Sequence, residues 1–63
     1  MDASTELNLL TREGIVSVEF TPPLDQDQYS ELYDIARDSE TREALVAAVK
    51  RAARRWKRKV KIT

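Results

Sequence analysis

Gly14-Ile15-Val16-Ser17-Val18-Glu19-Phe20-Thr21-Pro22-Pro23 is the stretch on which the fold turns. Val16, Val18 and Phe20 point to one side and Ser17 and Glu19 to the other, the two-residue period of a half-buried strand. Pro22 and Pro23 end that strand, since neither can donate a ladder hydrogen bond. Gly14 is the only glycine in the chain. It stands where a hairpin with a G1 bulge needs a positive φ, a conformation glycine adopts without a Cβ clash. Working back across Arg12-Glu13, the run Glu6-Leu7-Asn8-Leu9-Leu10-Thr11 alternates partially, with Leu7 and Leu9 on one face. Residues 5–21 therefore read as a β-hairpin, and residues 1–4 as a loose end.

Working forward, Asp25 has the position of a helix N-cap, with Gln28 three residues on completing a capping box. Leu24 and Tyr29 flank the cap as a hydrophobic staple. Tyr29, Leu32, Tyr33, Ile35 and Ala36 share one face at helical spacing, which predicts a first helix over 25–37. Asp38 or Ser39 can cap a second helix over 39–58, with Glu40 in its first turn. Ala44, Leu45, Ala48, Val49, Ala52 and Trp56 mark its apolar stripe, and alanine is the best helix former. Val60 and Ile62 alternate with Lys59, Lys61 and Thr63, a short strand over 59–63. It can lie parallel to the first hairpin strand or antiparallel to the second. The expected fold is a small α+β domain of the order ββααβ, one three-stranded sheet with both helices on one face.

At 63 residues this is a single domain with one modest core. It is too short for a Rossmann-type nucleotide fold or a two-domain cleft. The 41% hydrophobic and 35% charged content suits a globular chain rather than a disordered one. No Cys or His is present, so thiolate chemistry, cysteine zinc sites and the usual proton shuttle are missing. No apolar run reaches membrane-span length, and the N-terminus lacks the basic and apolar regions of a secretory signal. The cytoplasm is the expected compartment.

Charge is balanced overall but segregated along the chain. Residues 1–40 hold ten acids against Arg12 and Arg37, whereas residues 41–63 hold nine bases against Glu43. On the first helix Asp27, Glu31, Asp34 and Asp38 form an acidic stripe opposite Leu32. On the second, Lys50, Arg51, Arg54, Arg55, Lys57 and Arg58 spread over about 120–280° from Leu45, while Trp56 projects inward with Leu45 and Val49. Cations suit the end of a helix and their stems cover apolar surface. Against that, Lys50/Arg54, Arg54/Arg58, Arg51/Arg55 and Arg55/Lys59 are like-charge i,i+4 pairs, together costing on the order of 1–2 kcal/mol. Something outside the second helix is expected to offset this repulsion: the first helix, a second chain, or phosphates.

Catalytic readings are weak. Ser17 beside Glu19 is the nearest nucleophile–base pair, and a solvated sheet surface explains it better. Asp25 and Asp27 lack the spacing of a calcium loop, and capping accounts for them. Tyr29 and Tyr33 read as residues at the edge of the core. One glycine cannot build a phosphate-binding loop. The residues point to a non-enzyme without cofactor, metal or small-molecule substrate: a small interaction or regulatory module that binds a protein partner, itself included, through oppositely charged helix faces. The alternative is a nucleic-acid binder that sets Lys50, Arg51, Arg54, Arg55, Lys57, Arg58, Lys59 and Lys61 against the phosphate backbone. No sequence-reading motif accompanies that basic run.

Overall fold

A computed structural model describes residues 3–63. Strand β1 spans Thr5–Thr11 and β2 Gly14–Thr21; helix α1 spans Gln26–Asp38 and α2 Arg42–Trp56; strand β3 spans Lys59–Ile62. The sheet has the order β1-β2-β3, antiparallel throughout. The loose end expected at Met1 and Asp2 lies outside the described residues; Ser4, expected to belong to it, donates a hydrogen bond from Oγ to Glu19 Oε2 at 3.1 Å.

Alternation in the hairpin sets which face is buried. Leu9 stands opposite Val16, Leu7 opposite Val18 and Thr5 opposite Phe20, all on the helix-covered side. Gly14 has φ +120° and pairs with Thr11, leaving Arg12-Glu13 as the loop. Thr11 closes the turn with its hydroxyl, which donates to the Gly14 carbonyl at 2.8 Å and accepts from the Glu13 N–H at 3.1 Å. The Thr21–Pro22 peptide is cis.

The capping box forms as the sequence implies: Asp25 Oδ1 accepts the Gln28 N–H at 2.8 Å, and Gln28 Oε1 accepts the Asp25 N–H at 3.1 Å. Leu32 is the fully buried residue of α1; Tyr33 is half exposed, at the rim of the core. The start of α2 differs from expectation. Its N-cap is Thr41, whose Oγ1 accepts the Ala44 N–H at 3.0 Å. Ser39 instead ends α1, donating its hydroxyl to the Ile35 carbonyl at 2.7 Å. Glu40 thus sits in the loop rather than in the first turn of α2. The first helix needs Ser39 to satisfy a terminal carbonyl, which leaves the next hydroxyl to open the second.

The end of α2 also comes early. Lys57 adopts φ 58°, ψ 44°, and its N–H donates to the Arg54 carbonyl while the Arg58 N–H donates to Ala53 at 2.9 Å. This is a Schellman-type stop built on lysine instead of glycine. Arg58 therefore lies beyond the helix, and the expected i,i+4 pairs Arg54/Arg58 and Arg55/Lys59 do not form on it.

α1 and α2, joined by three residues, return antiparallel, so β3 begins at the sheet end where β2 stops. Val60 then stands opposite Phe20 and Ile62 opposite Val18. Leu45, Val49, Ala52 and Ala53 of α2 are buried, and Trp56 lies against Phe20 with ring centroids 6.1 Å apart. Arg42 staples the layers: its guanidinium donates to the carbonyls of Ile15 at 3.2 Å and Thr63 at 3.3 Å. Among the described residues the other face of the sheet carries no helix.

Candidate interaction surface

The core dictates where the charges go. With Leu32 and Leu45 turned to the sheet, helical spacing sends the polar residues of both helices to the outer side of the helix layer. Asp27, Asp34 and Asp38 are exposed on α1; Lys50, Arg51 and Arg54 are exposed on α2. Where the helices meet, Arg55 bonds the Glu31 carboxylate, and its guanidinium also lies 5.8 Å from the centre of the Trp56 ring. The outer surface is thus bipolar, acidic over α1 and basic over α2, with the Glu31–Arg55 bridge as the seam.

Among the described residues this bridge is the one ion pair joining the helices; a second pair, Arg37 with Asp34 at 3.8 Å, stays within α1 and is exposed. Lys50, Arg51 and Arg54 contact no carboxylate within bridging distance among the described residues. They border a shallow groove floored by Val46 and Ala47 and closed at the other end by Arg42 and two carboxylates, Glu13 and Glu43, so its cationic part is the end at Lys50, Arg51 and Arg54. The groove's apolar floor is not evident from a stripe drawn through Leu45 and Val49, though Ala44, Val46 and Ala47 stand among the cations on the same helical wheel.

The remaining expected cations separate from this group. Arg55 is committed to Glu31. Lys57 is exposed but sits in the left-handed stop. Arg58 is half-buried: its Nη1 donates to the Trp56 carbonyl at 2.9 Å, and its Nε is buried without a hydrogen-bond partner. Lys59 and Lys61 face the open side of the sheet, because Val60 and Ile62 between them pack on the core. Lys61 stands opposite Glu19 there. The eight cations expected to act together are therefore divided over two opposite surfaces. The strand period of two reverses side-chain direction where the helix ends.

The other chemical candidates are occupied by structure. Ser17 donates its hydroxyl to Asn8 Oδ1 at 2.8 Å, and Glu19 accepts from Ser4, so the two do not address each other. Asp25 is the N-cap of α1. Tyr29 and Tyr33 stack on each other, with centroids 6.5 Å apart. No helix is long and apolar enough to cross a membrane among the described residues.

Fold and surface together define a two-layer ββααβ domain with a bipolar helix layer. No family model, curated protein or solved structure matches this chain.

Proposed function

We propose that this protein is a non-catalytic interaction module that takes an acidic protein segment on the outer face of α2. The observation that carries the reading is the trio Lys50, Arg51 and Arg54, exposed and without carboxylate partners among the described residues, beside the apolar floor of Val46 and Ala47. Such a surface suits a partner that brings carboxylates and a few aliphatic groups together. Charge sets approach and register, while the apolar floor supplies the contact that salt does not screen.

The same cations favour one further reading, attachment to a nucleic-acid backbone. Two features of the geometry count against it. Lys59 and Lys61 turn to the far side, and the Trp56 indole is engaged with Phe20 and Arg55 rather than free to stack on a base. With Lys50, Arg51, Arg54 and Lys57 as the phosphate contacts, log K would fall with log salt at a slope of about −3 to −4.

Titration of the chain with an aspartate-rich amphipathic peptide and with a short DNA duplex, each at about 50 and about 200 mM salt, separates these readings. The peptide is expected to bind, and the double variant Arg51→Glu, Arg54→Glu is expected to abolish binding. Duplex binding with that salt slope and no peptide binding transfers the function to nucleic acid. Binding to neither rejects the surface as a docking site.

A further inference from the structure

We infer that the acidic partner is a second copy of this chain, joined helix layer to helix layer about a two-fold axis parallel to the helices; this rests on the reading of α2 given above. The inference begins with the bipolar surface. Acids outnumber bases on the α1 half, where Arg37 is the one base and pairs with Asp34, and bases outnumber acids on the α2 half, where Glu43 is the one acid; the seam between them carries the one interhelical ion pair among the described residues. When two such layers meet face to face, symmetry decides which halves oppose. An axis lying in the interface across the helices stacks α1 on α1 and α2 on α2, like charge on like. An axis lying in the interface along the helices stacks each α1 on the other copy's α2, so both acidic halves meet both basic halves at once. The contact is isologous and closes at two copies instead of propagating.

Register agrees as well. A two-fold axis allows no shift along its own direction, so each residue of the second α1 stands level with whatever its counterpart faces within one chain. Glu31 lies about level with Arg55: the two are bonded, and Glu31 and Ile35 border one interhelical groove with Ala48, Arg51, Ala52 and Arg55. Both helices rise equally per residue and run oppositely, which sets Asp34 level with about Ala52 and Asp38 with about Ala48. The acidic span of one copy therefore overlies the stretch containing Lys50, Arg51 and Arg54 of the other. A mismatch of one or two helical turns would have left the cations facing loop; none is present.

The size of the surface sets the strength. Helices of 13 and 15 residues lying side by side offer a face about 20 Å on edge. That buries roughly 800 Å² in total, below the about 1,200 Å² at which stable interfaces begin and in the range of weak, transient encounters. The dimer is accordingly weak, forming at high micromolar concentration, and strongly dependent on salt because its contacts are mainly between exposed charges.

The test uses the full chain and two reversals at exposed positions. One carries Asp34→Lys and Asp38→Lys, the other Arg51→Glu and Arg54→Glu; circular dichroism confirms that each is folded. Sedimentation equilibrium at low salt is expected to show a monomer–dimer equilibrium for the unmodified chain, weakened at least about ten-fold by about 300 mM salt. Each reversal alone is expected to be monomeric, because the two halves of its helix layer then no longer carry opposite net charge. An equimolar mixture of the two is expected to restore a one-to-one complex, because both opposed pairs become complementary again. A monomer at millimolar concentration and low salt overturns the inference, and so does a dimer that persists in both single reversals. If the monomer still binds the aspartate-rich peptide, the α2 docking reading survives and only the identity of the partner falls.

Discussion

At the scale of the residue, the most informative positions are those where a side chain answers a backbone demand. Lys57 holds a left-handed conformation that costs an L-residue roughly 1–2 kcal/mol. Lys57→Gly is therefore expected to raise stability by about 0.5–1 kcal/mol, after allowing for the extra freedom of glycine in the unfolded chain; urea denaturation followed by Trp56 fluorescence measures it. Thr5 is buried, and its Oγ1 accepts the Leu24 N–H at 3.0 Å, pinning the segment that leads into α1 to the first strand. Thr5→Val keeps the shape but orphans that N–H. A loss of about 1–3 kcal/mol is expected, whereas Thr5→Ser, which retains the acceptor, should cost less. Equal losses in the two variants would assign the effect to packing.

At the scale of the element, α2 depends on a neighbour for its start. Thr41 satisfies one of its free N–H groups, and Glu13, from the hairpin loop, accepts the Arg42 N–H at 2.7 Å. A carboxylate at that end also faces the positive pole of the helix dipole. Glu13→Ala is expected to destabilise the fold by roughly 0.5–1.5 kcal/mol. The difference should shrink as salt is raised, which thermal melts at low and high salt would detect; a difference insensitive to salt would assign it to the hydrogen bond alone. α1 depends instead on a single anchor. Leu32 is its one fully buried side chain. Leu32→Ala is expected to cost about 2–5 kcal/mol, comparable with the whole stability of so small a core. Loss of the far-ultraviolet helical signal at room temperature is the expected readout.

At the scale of the whole molecule, the helix-layer charges contribute little to holding the chain together. Arg51 and Arg54 contact no acid among the described residues, and Lys50 and Arg54 are like-charge neighbours one turn apart. Replacing both arginines with glutamine is expected to leave stability unchanged or slightly higher while removing partner binding. A clear drop in the denaturation midpoint would show that these cations serve the fold instead. The two sheet surfaces divide the labour similarly. The covered side carries the core, and the open side carries Glu19 opposite Lys61, with Leu10 of β1, opposite Ile15, 74% exposed.

Local periodicity was enough to read the five elements and most of their buried faces, although α2 starts and stops inside its expected bounds, Ala44 of its expected apolar stripe is exposed, and Ala53 is buried instead. Val16, Val18 and Phe20 alternate, Asp25 and Gln28 signal a cap, and Leu45, Val49, Ala52 and Trp56 repeat at helical spacing; each pattern lies within one element and needs no knowledge of the others. The segregation of acid from base could likewise be counted directly along the chain. Tertiary structure alone decided that β3 joins β2, that Glu13 helps cap a helix far along the chain, and that Arg55 finds Glu31. It also removed Arg58, Lys59 and Lys61 from the basic surface, through a left-handed residue at Lys57 that no helical period encodes. Side-chain direction within an element follows from its own geometry, whereas the meeting of two elements depends on where the intervening chain returns them, and that is settled only when the core closes.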